Sequence, residues 1–294
     1  MNKKKKILIF GAYGFLGSHL SNFLKKKGYK IFRQGRGKKS QIILNPSNTK
    51  MLKKTLLSIN PQVIINLIAE TDVNKCESNF RKAKYVNAGI VKNIVRAIKK
   101  IDDKQKNFFF VHISTDSVYG SRGPHTENKI KLINNYAKTK YLGELEAKKI
   151  KSVILRTNFI GKDKENKRKP LSDWIINSLR KRKKIKVFND VLFSPLHLSS
   201  LSKAMEIVLR KKITGTFNVG AKGHISKANF AFKLCKHLKL NENLLEKTNY
   251  SQSKFIVKRP LDMRMKVKKF EKIYKTILPS IFNQIKLTAQ EYKK

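Results

Sequence analysis

Short apolar runs alternate with helical patterns over the first 160 residues of the chain. Runs of this kind predict strands at Ile7–Phe10, Tyr29–Phe32, Gln41–Leu44, Val63–Ala69, Phe108–Ser114 and Val153–Leu155. Between several of them, apolar residues recur every three or four positions, as on one face of a helix, over 16–24, 83–98 and 136–150. Continuous apolar runs are typical of parallel strands that are buried on both faces. The pattern therefore predicts an α/β fold with a Rossmann-like, doubly wound parallel sheet over residues 1–160.

This alternation weakens after residue 160. Helical spacing returns over 171–181, 198–209 and 226–238, and Gly215–Gly220 is strand-like. We expect residues 161–294 to form a smaller C-terminal α+β part, packed against the carboxyl ends of the parallel strands. A helix near 198–212 is expected to pack back on the first part.

Composition excludes several classes of protein. No apolar run approaches the roughly 18–20 residues of a membrane span, so no membrane association is expected. The basic, then apolar N-terminus imitates a signal peptide, but three glycines interrupt it and no small-residue cleavage site follows. We therefore expect a cytoplasmic protein. Cys76 and Cys235 cannot make a disulfide framework and are expected to be buried, and no residues have the spacing of a metal site.

The net charge of +48 is unusual for such a chain. Of 67 basic residues 55 are Lys, and they are spread along the whole sequence without a zinc-finger or RNP pattern. Because Asn and Ile are also abundant, we interpret the charge as a composition that has drifted with an AT-rich genome. A nucleic-acid binder is the alternative, since a basic surface attracts any polyanion.

Three glycines follow the first predicted strand as Gly11-Ala-Tyr-Gly14-Phe-Leu-Gly17. The first allows a tight turn, the second lets backbone approach a pyrophosphate, and the third lets the helix pack closely on the strand. The helix N-terminus then faces the phosphates. The spacing and its position after a strand predict a dinucleotide site.

The end of the second strand indicates which dinucleotide is bound. An acidic residue there would bind the ribose of NAD, but the chain has Arg33-Gln-Gly-Arg36. Only 12 residues are Arg, so two within four positions are informative. Because guanidinium clamps phosphate in two contacts, we expect NADP(H) to be preferred over NAD(H). The alternative is a solvated basic loop.

Tyr136 and Lys140 lie four positions apart in a predicted helix, so their side chains share a face. A cation about 5 Å from the phenol, at an effective dielectric of about 20, would favour phenolate by about 3 kcal/mol. We therefore expect Lys140 to lower the pKa of Tyr136. Thr115, at the predicted carboxyl end of a buried strand, could hydrogen-bond a substrate carbonyl nearby. Tyr250 and Lys254 have the same spacing without such a partner and are interpreted as surface residues.

Together these residues resemble the extended short-chain dehydrogenases/reductases. The glycine turn is similar to their GxxGxxG loop, FVHISTDSVYG (110–120) to their strand-to-active-site segment, and Tyr136 and Lys140 to their YxxxK pair. Within that family, NPQVIINLIA (60–69) and RPLDMRM (259–265) are similar to dTDP-4-dehydrorhamnose reductases.

The resemblance implies NAD(P)H-dependent reduction of a nucleotide-linked 4-keto-6-deoxysugar. Tyr136 would donate the proton, Lys140 would tune it and hold the cofactor ribose, and Thr115 would orient the carbonyl. Further cofactor contacts are expected from Gly11, Tyr13, Gly14, Phe15, Leu16, Gly17, Arg33, Arg36, Leu67, Ile68 and Ala69. Further substrate contacts are expected from Thr71, Val73, Asn158 and Arg259, with Arg264 as a second candidate for the diphosphate.

Other readings stay open at this point. The related dehydratases carry Thr-Asp-Glu, whereas this chain has Thr115-Asp116-Ser117, which disfavours dehydration. An epimerase or another sugar-nucleotide reductase of the superfamily is the nearest alternative, followed by a non-catalytic regulatory subunit on the same fold. A homodimer is one assembly that the resemblance allows. His112 and Trp174 are interpreted as core residues.

Overall fold

Strands and helices alternate along most of the chain in the computed structural model, which describes residues 5–102, 108–163, 170–253 and 255–293. The strands are β1 (Lys6–Phe10), β2 (Lys30–Gly35), β3 (Ile42–Ile43), β4 (Val63–Asn66), β5 (Phe109–Thr115), β6 (Ser152–Thr157), β7 (Phe159–Ile160), β8 (Ile185–Phe188), β9 (Leu192–Phe193), β10 (Leu196–His197), β11 (Gly215–Val219), β12 (Ile225–Ser226) and β13 (Leu245–Thr248). The helices are α1 (Phe15–Lys26), α2 (Thr49–Ile59), α3 (Val73–Ser78), α4 (Phe80–Lys84), α5 (Ile90–Ile101), α6 (Asn135–Ala147), α7 (Leu171–Arg180), α8 (Leu198–Lys211), α9 (Lys227–Leu238), α10 (Lys268–Tyr274) and α11 (Ile281–Lys293). A π-helical turn, Tyr85–Gly89, joins α4 to α5.

The main sheet has seven strands in the order β11-β6-β5-β4-β1-β2-β3, and every neighbouring pair is parallel. The predicted Rossmann-like sheet is confirmed. The strand order reverses at β1, which lies between β2 and β4. Such a reversal opens a crevice at the carboxyl ends of the strands, where α/β folds bind ligands.

Helices cover both faces of the sheet. Along β1, Ile7 and Ile9 join a core cluster that includes residues of α1 and α8, whereas Leu8 and Phe10 join a second cluster with α2 and α5. Successive side chains of a strand point to opposite faces, so a continuous apolar run fits a strand that is covered on both sides.

Residues beyond 160 contribute to both parts of the molecule. β11 pairs with β6 at the edge of the main sheet, so a boundary at residue 160 separates this strand from its sheet. Helix α8 packs on α1, where His19 Nδ1 lies 3.1 Å from Ser202 Oγ. The remaining segments form small pairs, β7–β10, β9–β12 and β8–β13, with α7, α9 and α11 packed around them.

Both cysteines are free and buried, as predicted. Within the described ranges, no helix combines the length and the apolar composition that crossing a bilayer requires.

Candidate active site

The turn after β1 is built so tightly that only glycine fits it. Gly11 has a φ of +73°, and a Cβ there would lie 3.1 Å from the Ile68 nitrogen. A Cβ at Gly17 would lie 2.3 Å from the Gly11 carbonyl oxygen. Gly14 precedes α1, and no side chain caps that helix. The first N–H groups of α1 are therefore left to an anion, and this cradle fits the pyrophosphate of a dinucleotide.

Arg33 lies on β2 beside this turn. Its guanidinium carbon is 4.3 Å from the centre of the Tyr13 ring, and its buried Nε has no hydrogen-bond partner. Arg36 follows β2 and is exposed. Of the two arginines, Arg33 is the one that the fold holds against the turn with an unused donor.

The segment Leu67–Ala69 follows β4 and is half-buried at the same edge of the sheet. Asn87, which the sequence analysis did not single out, fixes the backbone just beyond this segment. Its Oδ1 accepts from the Glu70 nitrogen at 2.8 Å, and its Nδ2 donates to the Glu70 oxygen at 3.1 Å and to Thr139 Oγ1 at 3.0 Å. The sequence did carry a signal for this role, because Asn87 is a polar residue on the apolar face of the helix predicted over 83–98.

Tyr136 and Thr115 lie together where β5 ends. The Thr115 side chain is close enough to the Tyr136 hydroxyl to affect its pKa. Burial raises the pKa of Tyr136 to about 12, although Thr115 lowers it, and the nearby Asp116 and Cys76 raise it further. The sequence predicted a lowered pKa for Tyr136, and this prediction is wrong for this structure, because burial outweighs the lowering by Thr115.

Lys140 is buried one helical turn after Tyr136. Its Nζ donates to the Ile113 carbonyl oxygen at 2.7 Å. Burial lowers the pKa of Lys140 to about 8, and the charge of Glu144 opposes this effect. The main chain of β5 therefore holds the ammonium at the carboxyl end of this strand.

A buried ion pair lies below this helix and was also missed. Arg156 donates to Glu144 through Nη2 at 2.6 Å and through Nε at 2.8 Å, and both side chains are almost fully buried. Arg156 Nη1 also donates to the Tyr119 hydroxyl at 3.0 Å. The pair joins α6 to β6 and so fixes the helix that carries Tyr136 and Lys140.

A cavity of about 400 Å³ is lined by Ser117 and Asn134, which lie two positions from Thr115 and Tyr136. Thr115, Tyr136 and Lys140 themselves do not line it. Val73, Asn158 and Arg259 line it, whereas Thr71 is exposed and does not. The rings of Phe15, next to the glycine turn, and Phe159, in the cavity wall, have centroids 5.9 Å apart. The cavity and the dinucleotide cradle are therefore neighbours.

Three interpretations of residues near the cavity need correction. Trp174 is 38% exposed and lines the cavity, because α7 presents it away from the core. Tyr250 also lines the cavity instead of the surface, and Lys254 lies outside the described residues. Arg264 does not line it, because its guanidinium pairs with Asp262 at 2.6 Å and donates to the Gly123 oxygen at 3.0 Å. His112 is fully buried, as predicted.

Lys227 lines the cavity, and Asp116 is a buried carboxyl group close to it. Asp116 follows Thr115, and Asn158 Nδ2 donates to its carboxyl at 2.8 Å. Burial raises the pKa of Asp116 to about 6. Lys227, at the start of α9, is a lining residue that the sequence analysis missed, because Lys is too frequent here to be informative. No cluster of three or more metal-ligating side chains occurs in the part of the chain described.

A family model and a curated relative both match nearly the whole chain. Residues 5–294 match the family described as RmlD substrate binding domain. In sequence, the chain is 26% identical over 291 residues to dTDP-4-dehydrorhamnose reductase of Escherichia coli (strain K12), covering 93% of each protein.

Solved structures of the same kind superpose on nearly the whole chain. A hypothetical dTDP-4-dehydrorhamnose reductase from Sulfolobus tokodaii is 30% identical with a TM-score of 0.80, covering 94% of this chain and 97% of its own. The reductase from Bacillus anthracis in complex with NADP is 24% identical with a TM-score of 0.86, covering 98% and 99%.

Proposed function

This chain belongs to the RmlD substrate binding domain family of the extended short-chain dehydrogenases/reductases, and from that premise we propose that it reduces a nucleotide-linked 4-keto-6-deoxysugar with NADPH. The named reductases that it resembles over most of their length support this reaction. Residues 1–160 are proposed to bind the cofactor, and most of residues 161–294 the sugar nucleotide.

The observation that carries the proposal is that α6 lies against the carboxyl end of β5, with Lys140 Nζ 2.7 Å from the Ile113 oxygen, which brings Tyr136 close to Thr115. The glycine turn follows β1, and Thr115 ends β5, two strands away in the sheet with β4 between them. A ligand in the crevice can therefore reach the phosphate cradle and the two hydroxyls at once. The cavity with Val73, Asn158 and Arg259 continues from this point.

When bound, the nicotinamide supplies a hydride to the carbonyl carbon. Tyr136 holds the proton that the carbonyl oxygen needs, and a pKa of about 12 keeps the phenol protonated at neutral pH. Thr115, which lies close to this hydroxyl, orients the carbonyl oxygen toward it. The resulting phenolate recovers its proton from solvent after the product has left.

A panel of nucleotide-linked 4-keto-sugars tests the reaction through the loss of NADPH absorbance. Tyr136→Phe removes the proton donor and is expected to lower kcat by about 10²–10⁴-fold, the usual contribution of a positioned acid. Tyr141→Phe makes the same chemical change one turn further along α6 and should leave kcat within twofold. If Tyr136→Phe keeps more than a tenth of the activity, Tyr136 is not the proton donor.

The cofactor is a nicotinamide dinucleotide, and we propose that Arg33 makes NADPH the preferred form. Its unpartnered Nε beside the Tyr13 ring supports a contact to the 2′-phosphate. Arg33→Ala is expected to raise KM for NADPH at least tenfold and KM for NADH less than twofold, with Lys38→Ala as the exposed control. Equal effects on the two cofactors would refute the assignment.

Alternatives give different results in the same preparations. An epimerase retains its cofactor, so NAD that copurifies with the chain and no net NADPH oxidation would support that reading. A regulatory subunit would oxidise no NADPH with any sugar in the panel. The homodimer and the cytoplasmic location stay predictions, which sedimentation of the purified protein and cell fractionation can test.

A further inference from the structure

Arg264, which does not line the cavity, makes a two-point ion pair with Asp262. Its Nε donates to Asp262 Oδ1 at 2.8 Å, and its Nη2 donates to Asp262 Oδ2 at 2.6 Å. The two side chains are only 19% and 11% exposed, so water screens this pair less than an ordinary surface pair. A planar guanidinium that meets a carboxylate at two points fixes the orientation of both groups. The pair therefore fixes the conformation of the chain around residue 263.

The same pair holds a second segment, the loop that follows β5. Gly123 N donates to Asp262 Oδ2 at 2.7 Å, and Arg264 Nη2 donates to the Gly123 oxygen at 3.0 Å. A Cβ at Gly123 would lie 2.8 Å from Asp262 Oδ1, so the two segments approach as closely as a glycine allows. His125 Nε2 lies 2.8 Å from the Asp262 oxygen, and the main chain of His125 hydrogen-bonds the Arg264 oxygen and the Lys266 nitrogen, both at 2.8 Å. We call Gly123, Asp262 and Arg264 the clasp.

Each of the two segments leads from the clasp to the lining of the cavity. The segment that carries Asp262 contributes three lining residues, Arg259, Pro260 and Met263. Met263 N donates to the Leu192 oxygen at 2.9 Å, which joins this segment to β9. The segment that carries Gly123 contributes Ser117, which lies two positions after Thr115. The clasp therefore connects one wall of the cavity to the end of β5, where Thr115 and Tyr136 lie.

We propose that the clasp positions the substrate, because it fixes the wall formed by Arg259, Pro260 and Met263 relative to Thr115. Arg264 lies outside the cavity and acts through this wall, so it is a positioning residue and not a catalytic one. This inference rests on the proposed function, because the wall belongs to the proposed substrate cavity. The alternative is an ion pair that stabilises the fold and has no effect on the substrate.

Kinetics of keto-sugar reduction by the full chain test this role. Arg264→Gln removes the charge and the two-point contact, and KM for the keto-sugar should rise at least tenfold. A wall that contacts the non-reacting part of a substrate binds the ground state and the transition state alike, so kcat should stay within threefold. Kd for NADPH, measured by calorimetry, should stay within twofold, because the turn that faces its phosphates is built by residues 11–17. A lower kcat at an unchanged KM would indicate loss of folded chain only, and it would overturn the proposal.

Three further variants separate the geometry of the clasp from its charge. Arg264→Lys keeps the charge but cannot span both oxygens of Asp262, so its KM should stay at least fivefold above that of the wild type. Asp262→Asn should raise KM as Arg264→Gln does, and the double variant should be no worse than either single variant, because the two side chains act as one unit. If Arg264→Gln does not fold, Arg264→Lys and Asp262→Asn carry the same test. Additive effects on KM, or a wild-type KM in Arg264→Lys, would contradict the clasp.

The matched control is Arg210→Gln. Arg210 also pairs with a carboxylate, since its Nε lies 3.5 Å from Glu206 Oε1, but this pair lies on α8 and neither residue lines the cavity. KM for the keto-sugar should therefore stay within twofold of the wild-type value. A rise like that of Arg264→Gln would show that any lost arginine has this effect, and it would overturn the assignment.

Hydrogen exchange tests the clasp without any reaction. In Arg264→Gln the amides that join the two segments should exchange at least tenfold faster, whereas those of α1 should not change. The amides to follow are those of Gly123, His125, Met263 and Lys266. Unchanged exchange overturns the clasp whether or not the chain reduces keto-sugars. Faster exchange, in a chain whose wild type oxidises no NADPH with any keto-sugar, would support the clasp and refute the proposed reaction.

Discussion

Replacing Gly17 by alanine tests how closely α1 packs on the turn that precedes it. The added Cβ would lie 2.3 Å from the Gly11 oxygen and 2.8 Å from the Ala12 carbonyl carbon. Both are backbone atoms, so no side chain can rotate away to make room. Either the turn or the first part of α1 must move.

The expected cost follows from two opposing effects. Alanine is favoured over glycine inside a helix by about 0.5–1 kcal/mol. Forcing an extra carbon into a packed region costs about 1–3 kcal/mol. We therefore expect Gly17→Ala to lower the free energy of unfolding by about 1 kcal/mol, which lowers Tm by roughly 2–4 °C in a domain of this size. The displaced turn should also weaken NADPH binding at least tenfold, because a shift near 1 Å has large effects on a positioned ligand.

Thermal unfolding with and without NADPH measures both effects at once. Ligand stabilisation varies as RT ln(1 + [L]/Kd), so a tenfold weaker Kd removes about 1.4 kcal/mol of it at saturating NADPH. Gly37→Ala is the matched control, since a Cβ there meets no atom within 4 Å. Two results together would refute both the close packing of α1 and the phosphate cradle. Gly17→Ala would melt at or above the wild-type Tm, and NADPH would raise its Tm by as much as it raises that of the wild type.

Two buried carboxylates give further predictions for stability. Glu144→Gln leaves the charge of Arg156 without its partner and should lower the free energy of unfolding, measured in urea, by about 3–5 kcal/mol. The control is Glu146→Gln, whose partner Lys149 is exposed, and it should change this free energy by less than about 1 kcal/mol. Equal losses in the two variants would contradict a structural role of the Glu144–Arg156 pair. Asp116→Asn tests the raised pKa of Asp116. Because the folded chain binds the carboxyl proton more tightly than the unfolded chain, the free energy of unfolding falls as the pH rises from about 4 to about 6. Asp116→Asn should therefore raise the free energy of unfolding by about 2–3 kcal/mol at pH 7.5 and by almost nothing at pH 4. The new side-chain oxygen can still accept from Asn158 Nδ2. A gain that does not depend on pH would show another cause.

The main sheet could be predicted because its signal is local. A strand such as Ile7–Phe10 is apolar at every position since helices cover both of its faces. Helix α2 was missed although Leu52, Leu56 and Ile59 have helical spacing and Asn48 caps its start at the Met51 nitrogen. The strand Gly215–Val219 was found, but its place beside β6 was not, because pairing between strands distant in sequence leaves no local pattern.

The site was predictable only as far as motifs extend. The glycine turn, Thr115 and Tyr136 each follow from spacing and from their position at a strand or on a helix. Lys227, Tyr250 and Phe255 come from segments that are distant in sequence from the motifs, so tertiary packing alone brings them to one cavity. The pKa of Tyr136 was mispredicted for a related reason. A shared helical face determines neither how deeply Tyr136 is buried nor which group Lys140 hydrogen-bonds.

Burial of Tyr136 bears on the direction of the reaction. At pH 7 a phenol with a pKa of about 12 is ionised in about one molecule in 10⁵. A donor to the oxygen of a ketone needs the protonated form, which is nearly the whole population. A base that removes the proton of a hydroxyl needs the phenolate, which the combined surroundings of Tyr136 disfavour by about 3 kcal/mol relative to water for a shift of two pKa units. The raised pKa of Tyr136 therefore suits the proton donor of a ketone reduction better than the base that an epimerase needs for its first step, the oxidation of a hydroxyl.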